Sequence, residues 1–353
     1  MKKFAIISLI LTLLIGISAC NDELDPTAEW ENIPVVYGML NQNDSVHYIK
    51  VNKAFLGDAP AAEMAAISDS LFYDNAIVYI NQIESGNVVK RLDFVPVDTI
   101  PKPEEDNPNE VEFATDRNTI YIYQGEIDAE SNAGNDYTYE LHVEIPDENT
   151  ECTSQLKLIS GAYIISPLSV QKLSLENYSF GSVSTEYRTG ENGSLYQMVF
   201  RFYYLEVTDS GDTIKDLKPI EISWPVKTLS GSDQEVSLDF TIEQFYEELL
   251  NQVEEKEGVT RLVRYPNSAT FSLYVADEDF RIYSEISEPS YGAVQEKPFF
   301  TNIENGVGLF AARYTQERTI PVTLSTVTKI ATDTLTDQLN FADRDNPYYV
   351  SNR

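Results

Sequence analysis

The side chains that most often perform acid–base or metal chemistry are scarce in this sequence. There are two histidines, His47 and His142, and each lies in an alternating run that predicts a β-strand. Two histidines exclude a three-histidine zinc site, and neither His-Glu-x-x-His nor the nucleophile elbow Gly-x-Ser-x-Gly occurs. Either histidine could act as a general base, but a histidine with a structural role in a strand is the favoured interpretation.

Carboxylates, in contrast, are abundant, with 57 Asp and Glu residues. A pair of them could hydrolyse a glycosidic bond if the fold brought them together. A carboxylate-dependent hydrolase acting on carbohydrate or peptide is therefore the alternative function. The densest cluster, residues 98–112, could also bind Ca²⁺, but it lacks the spacing of a calcium loop. We interpret 98–112, and likewise 342–347, as solvated loops, and we predict no catalytic residues, metal or cofactor.

The N-terminal residues have the layout of a secretory signal. Two lysines precede an almost wholly apolar run over residues 4–17, and small residues at 18–19 come before Cys20. The run is short for a bilayer span and acidic residues follow it, so a permanent transmembrane helix is the weaker interpretation. An ordinary signal peptide with an incidental cysteine is the other alternative. Residues 17–20, Ile-Ser-Ala-Cys, resemble the lipobox of bacterial lipoproteins, which implies that residues 1–20 are a lipoprotein signal and that Cys20 is lipidated.

The second cysteine, Cys152, opens the strand-like run "TECTSQLKL". With Cys20 as the lipid anchor, no intrachain disulfide can form. A lone thiol in an exported protein could be reactive, but we predict a half-buried and inert Cys152.

The charge of the chain excludes several partners. Loss of the leader removes two of the 25 basic residues and leaves 23 against 57 acidic ones, a net charge of −34. Nucleic acid is excluded as a partner because phosphate contacts require clustered Lys and Arg. The acidic residues Asp22, Glu23 and Asp25 resemble the signal that carries Bacteroidetes lipoproteins to the outer cell surface. We therefore expect an outer-membrane protein that faces the cell exterior on an acidic tether at residues 21–32.

The N-terminal half is dominated by strand patterns of period two. They occur at 33–40, 45–55, 75–83, 88–97, 118–127 and 136–146. The first two form a predicted hairpin around a polar turn, and an alanine-rich segment at 58–68 predicts a short helix. Residues 33–150 are thus predicted to form an immunoglobulin-like β-sandwich domain.

A polar turn at 146–150 predicts a boundary, so that residues 151–353 form a second β-rich domain. Helical spacing appears near 242–256, where Phe245, Leu249 and Val253 form an apolar stripe, and again near 277–287. The stripe could bind a partner, although packing on the sheet is favoured. The fold class predicted for the whole chain is mainly β, with two antiparallel sandwich-like domains and a few short helices packed on the second.

Residues 269–315 carry a more specific pattern. A strand, a short helix, a Pro-Phe element and an Asn-Ile-x-x-Gly-x-Gly-x-Phe-x-Ala run follow one another. The order resembles the C-terminal half of an uncharacterised family of Bacteroidetes lipoproteins, described only as a domain of unknown function. The matching residues are Pro298, Phe299, Asn302, Ile303, Gly306, Gly308, Phe310 and Ala311. Membership would imply exported, anchored β domains, often encoded beside TonB-dependent transporters, and implies no activity.

The glycines of this run also fit the Gly-x-Gly-x-x-Ala form of a dinucleotide fingerprint. That fingerprint needs a helix after the glycines, and there is no room for one before Pro321. We expect instead that Gly306 and Gly308 supply a positive φ or a close backbone approach at the start of a strand.

The sequence therefore predicts a non-catalytic binding or accessory lipoprotein that is held to the membrane through Cys20. The family resemblance implies a TonB-dependent transporter as its partner. A hydrolase would differ from it by a concave site in which carboxylates converge. A binding module would show an exposed aromatic or apolar patch.

Overall fold

The computed structural model describes residues 31–56, 64–98, 117–130, 134, 136–208, 211, 213–214, 219–287, 299–343 and 345. The leader, Cys20 and the export residues Asp22, Glu23 and Asp25 lie outside this part of the chain. So do residues 99–112 of the acidic loop and most of the predicted helix at 58–68. In the described part the secondary structure is mainly β with a few short helices, which confirms the predicted sandwich-like fold class.

The strands are β1 (Glu31–Leu40), β2 (Val46–Leu56), β3 (Ile77–Glu84), β4 (Asn87–Val97), β5 (Ile120–Gln124), β6 (Tyr137–Ile145), β7 (Thr150–Lys157), β8 (Tyr163–Ser166), β9 (Ser182–Arg188), β10 (Leu195–Phe202), β11 (Tyr204–Thr208), β12 (Thr213–Ile214), β13 (Ile220–Ser223), β14 (Lys227–Thr228), β15 (Glu235–Thr241), β16 (Val259–Val263), β17 (Ala269–Ala276) and β18 (Val307–Ile320). The helices are α1 (Ser68–Leu71), α2 (Ile242–Gln252), α3 (Glu278–Ser287) and α4 (Leu324–Thr332).

One sheet of 12 strands organises the molecule. Its order is β13-β10-β17-β18-β1-β2-β5-β4-β3-β6-β7, with β14 beside β10. Two three-stranded sheets, β12-β11-β16 and β15-β9-β8, accompany it. Neighbouring strands are antiparallel, including the predicted hairpin of β1 and β2, except that β1 and β18 pair in parallel.

The parallel pairing of β1 with β18 joins the beginning of the described chain to its C-terminal part. Val36 lies opposite Gly308, where the two backbones approach so closely that a Cβ on Gly308 would lie 2.0 Å from the Val36 carbonyl oxygen. Gly308 also has a φ of +125°, which confirms the prediction of a positive φ and a close approach. Strand β18 begins at Val307, between Gly306 and Gly308, and continues to Ile320. A strand at this place is expected for a structural role of the glycines, whereas dinucleotide binding would need a helix.

The predicted domain boundary at residue 150 falls at the start of β7. This strand pairs with β6, and Cys152 lies opposite Val143. The segment before β18 also contacts β7, because the Ser154 hydroxyl donates a hydrogen bond of 2.7 Å to the carbonyl of Asn302. The large sheet thus contains strands from both sides of the boundary, and the division into two domains stays a prediction.

Both predicted helices of the C-terminal part are present. Thr241 begins α2 by accepting a hydrogen bond of 3.1 Å from the backbone N–H of Gln244, and Phe245 and Leu249 are fully buried. Phe245 lies 5.2 Å from Phe202 between ring centroids, so the apolar stripe of α2 packs in the core. In α3, by contrast, no residue is fully buried.

The apolar and aromatic run "LYQMVFRFYYLEV" forms two strands, which are separated at Tyr203. Before this residue, β10 pairs with β17 of the large sheet, and after it, β11 pairs with β16 of a small sheet. Strands β13 and β14 are likewise separated around Pro225, which cannot donate to a ladder.

The core lies on one face of the large sheet. Phe200 packs there against Phe240 of β15 at 4.9 Å and against Phe271 of β17 at 5.1 Å between centroids. The opposite face, here called the outer face, carries the alternate residues of the same strands. None of the helices in the described part is long and apolar enough to cross a membrane.

Candidate binding site

His47 is a buried structural residue. Its imidazole Nε2 lies 3.1 Å from the carbonyl oxygen of Gly125, and its ring stacks on Tyr123 at 6.0 Å. Burial lowers the pKa of His47, which keeps the imidazole neutral. With one ring nitrogen on a backbone carbonyl and the side chain 2% exposed, His47 has the structural role that the strand pattern favoured.

His142 lies on the outer face, but both of its ring nitrogens have partners. Nδ1 lies 2.7 Å from the Glu151 carboxylate and Nε2 lies 3.2 Å from the Glu140 carboxylate. The ring stacks on Tyr79 at 4.7 Å, and the Arg91 guanidinium lies 3.5 Å from the centroid of Tyr79. This layered arrangement holds the imidazole in place.

Cys152 is more deeply buried than the predicted half-buried position, with 1% of its surface exposed. Its thiol donates a hydrogen bond of 3.2 Å to the carbonyl of Asn305. Burial raises the pKa of Cys152 to about 11, so the reactive thiolate is nearly absent at neutral pH.

The Asn-Ile-x-x-Gly-x-Gly-x-Phe run has an architectural role. The Asn302 side chain donates to the carbonyl of Phe310 at 2.7 Å and accepts from its N–H at 2.9 Å, as a paired strand would. The same amide donates to Asp279 of α3 at 2.7 Å. Asp277 accepts from the N–H groups of Phe280 and Ala312, and burial raises its pKa to about 6. The run therefore fixes α3 against β18.

Two cavities in the described part of the chain lack the converging carboxylates that are expected of a hydrolase. A cleft of about 230 Å³ lies between β10, β17, β18 and α3, and its lining includes no carboxylate. A depression of about 480 Å³ beside α4 includes one carboxylate, Glu176, which the hydroxyls of Thr323 and Ser325 hold by hydrogen bonds. Within the described ranges, no group of three or more His, Cys, Asp or Glu side chains could hold a metal ion.

The outer face carries a row of apolar side chains that crosses four neighbouring strands, here called the apolar row. It consists of Tyr48, Ile122, Val95 and Ile77. Tyr48 pairs with Ile122, and Ile122 pairs with Val95. Because Val78 pairs with Phe94, the preceding residue Ile77 lies beside Val95 and ends the row. Tyr48 is 49%, Val95 61% and Ile77 44% exposed, so these side chains are solvated.

Aromatic and acidic residues adjoin the apolar row. Tyr37 of β1, 40% exposed, contacts Tyr283 of α3 edge to face at 6.2 Å. At the other end, Glu144 lies opposite Ile77, and Glu151 lies opposite Glu144. An apolar centre with carboxylates at its margin is the composition expected of a protein-binding surface.

The sequence contains a signal for this face, although the alternation rule alone does not identify it. A strand with one solvated face should alternate between apolar and polar residues. The runs "AIVYI", "FVPV" and "IYIY" are instead apolar at both odd and even positions. The additional apolar residues are those that the structure places on the outer face.

No family model and no curated protein matches this chain. The resemblance to Bacteroidetes lipoproteins therefore stays an expectation that rests on the residues quoted for it.

Proposed function

We propose that this protein is a lipid-anchored outer-membrane lipoprotein, facing the cell exterior, that acts as a non-catalytic accessory module for another envelope protein. A TonB-dependent transporter is the partner that the family resemblance favours. Cys20 would carry the lipid, Asp22, Glu23 and Asp25 would direct export, and residues 21–32 would tether the folded part.

The observation that carries this proposal is the exposed apolar row. Tyr48, Val95 and Ile77 are solvated, and Ile122 of β5 lies between Tyr48 and Val95. A partner that covered the row would therefore bury apolar surface in one continuous strip. Aromatic residues contribute strongly at interface centres, while charges at the margin mainly affect the rate of encounter. Tyr48 supplies an aromatic ring at one end of the row, and Glu144 lies at its margin, opposite Ile77 at the other end.

A hydrolase has less support. The cleft contains no carboxylate, and the depression beside α4 contains one that is already hydrogen-bonded. Glu140 and Glu151 approach each other around His142, but they are bound to its ring nitrogens rather than to an open site. No observation on the described residues favours this second function.

The lipid anchor is testable with Cys20→Ala. We expect the variant to be lost from the membrane fraction, because acyl chains contribute about 0.8 kcal/mol per buried methylene and no other anchor is proposed. Fractionation after high-salt and carbonate washes measures this. Ser18→Ala, which keeps a small residue before the cysteine, serves as the control and should stay bound. Retention of Cys20→Ala on washed membranes would contradict the lipobox interpretation.

The partner surface is testable with Val95→Glu. A carboxylate at the centre of the apolar row should lower recovery of the partner at least about tenfold, because a buried unpaired charge is costly at an interface centre. The measurement is quantitative affinity purification of the lipidated protein from gently solubilised outer membranes.

The matched control is Val89→Glu in the same strand. Val89 is 50% exposed and lies six residues from Val95, about 20 Å along β4. We expect this variant to recover the partner as the wild type does. Equal recovery by all three proteins would remove the apolar row from the proposal, and a monomer that cleaves a glycan or peptide panel would replace the proposal with the hydrolase.

A further inference from the structure

The cleft between α3 and the large sheet has a two-row floor on the outer face. The first row is Leu195 of β10, Ala276 of β17 and Arg313 of β18, which are register partners. The second row is Gln197, Tyr274 and Thr315, in the same three strands. Met39 and Phe280 line the cleft as well, as does Val226, which is 53% exposed. Apolar side chains thus enclose a space with polar groups in its floor.

Two polar side chains of this floor are available to a ligand. Among the described residues, the half-buried Gln197 amide and the Thr315 hydroxyl make no hydrogen bond, whereas Arg313 donates to Asp44 at 2.7 Å. An amide can both donate and accept, and so can a hydroxyl. Together they match the N–H and C=O groups of a peptide backbone, which also offers one donor and one acceptor per residue.

The size of the cleft limits what it can receive. Pockets for whole small molecules usually measure about 300–1,000 Å³. The cleft, at about 230 Å³, is smaller and suits a single bulky side chain. Tyr274, Phe280 and Leu195 would surround an aliphatic or aromatic group there, as in the central pocket of a protein interface.

The charge around the cleft indicates the sequence of the occupant. Arg313 in the floor is neutralised by its ion pair with Asp44, and Glu278 at the start of α3 is paired with Arg281. Glu317 follows Thr315 on the outer face, so the attraction of a basic segment comes mainly from the charge of the whole chain. The whole chain carries a net charge of −32. A segment with Lys or Arg on either side of the inserted residue would be attracted, and an acidic segment would be repelled.

The cleft is also continuous with the apolar row. Met39, which lines the cleft, follows Gly38 in β1, and Gly38 lies opposite Ile49, the neighbour of Tyr48 in β2. A partner lying along the outer face could therefore contact both.

We infer that this cleft receives one bulky aliphatic or aromatic side chain from a basic polypeptide segment of the partner. The inference rests on the proposed accessory function and adds the place and the sequence character of the principal contact.

The protein provides its own reporter for a test, because Met39 lines the cleft and Met198 is buried in β10, 1% exposed. The mature chain from residue 20, carrying Cys20→Ala and ¹³C-methyl methionine, is titrated with acetyl-Lys-Leu-Lys-amide. We expect a saturable shift of the Met39 methyl resonance and none at Met198. Acetyl-Lys-Ala-Lys-amide and acetyl-Glu-Leu-Glu-amide should each bind at least about tenfold more weakly.

Two variants locate the binding. Ala276→Phe should fill the floor and abolish the Met39 shift, and Val226→Lys, at an exposed position, should weaken binding of the basic peptide. Val89→Phe on β4 is the control and should leave the titration unchanged. An unshifted Met198 resonance verifies the fold of each variant.

The inference is overturned if the three peptides shift Met39 equally or not at all, or if the shift survives both cleft variants. Its failure is distinguishable from that of the accessory function. If only the cleft assignment is wrong, Ala276→Phe will recover the partner from membranes as the wild type does, while Val95→Glu will still lose it.

Discussion

Replacing Gly308 with alanine should lower the free energy of unfolding by about 3 kcal/mol or more. A Cβ at this position would lie 2.0 Å from the Val36 carbonyl oxygen and 2.8 Å from its carbon, distances that no side-chain rearrangement can relieve. The positive φ of +125° adds a conformational cost for any residue with a Cβ. Because both contacts are with the backbone of β1, relief requires β1 and β18 to separate, which opens the centre of the large sheet.

Gly86→Ala is the matched control. Gly86 also has a positive φ, +81°, but a Cβ there would meet nothing within 4 Å. Its replacement should cost only about 1 kcal/mol, from the conformational term alone. Urea denaturation followed by circular dichroism measures both variants, provided that the m-value is unchanged. Equal losses for the two variants would show that the close approach to Val36 contributes nothing beyond the φ requirement.

Local patterns predicted the strands of this protein better than their partners. The alternation in "IPVVYGML" predicts β1, and the polar turn after it predicts the hairpin with β2, because both depend on nearby residues. The pairing of Val35 with Val307 depends on residues far apart in the chain, and no periodicity reports it. Gly308 was the only residue singled out in the sequence that indicated this pairing. A glycine at that position predicted that another backbone approaches closely, but it did not predict that the backbone belongs to β1.

The position of the apolar row could not be predicted from the sequence. An exposed aromatic or apolar patch was expected of a binding module, but the row requires the register that places Tyr48, Ile122 and Val95 side by side. The cleft is harder to foresee, because Met39 and Phe280 reach it from segments that are distant in the sequence. The Asn302 run, the most specific pattern of residues 21–353, holds α3 against β18 through side-chain hydrogen bonds.

Isolated charges within apolar strands are a further sequence signal, because they indicate a buried ion pair. Arg261 stands within "VTRLV" and Glu206 within "YYLEV", and each interrupts an otherwise apolar strand. Such residues are almost never fully buried unless they are paired. The structure places them opposite each other in β16 and β11, where Arg261 is 1% and Glu206 4% exposed.

The Arg261 guanidinium connects three parts of the chain. Nε and Nη2 donate to one oxygen of Glu206 at 3.1 and 2.9 Å. Nη1 donates to the carbonyl of Leu339 and Nη2 to that of Glu254, both at 2.6 Å. The other oxygen of Glu206 accepts a hydrogen bond of 3.1 Å from Lys256, whose side chain is half exposed. The pair therefore holds the segment near Leu339, close to the C-terminal end of the described chain, against the small sheet.

Arg261→Met should lower the free energy of unfolding by about 3–5 kcal/mol, because it leaves the buried Glu206 carboxylate without its main partner and two carbonyls without donors. Lys256→Met, which removes only the half-exposed partner, should cost about 1 kcal/mol or less. The double variant Glu206→Leu with Arg261→Met should be more stable than Arg261→Met alone, because it removes the unpaired charge as well. Urea denaturation of the wild type, Glu206→Leu, Arg261→Met and the double variant closes the cycle. If the double variant lost as much stability as the two single variants summed, Glu206 and Arg261 would act independently, and hydrogen bonds to Leu339 and Glu254 would be the main contribution of Arg261.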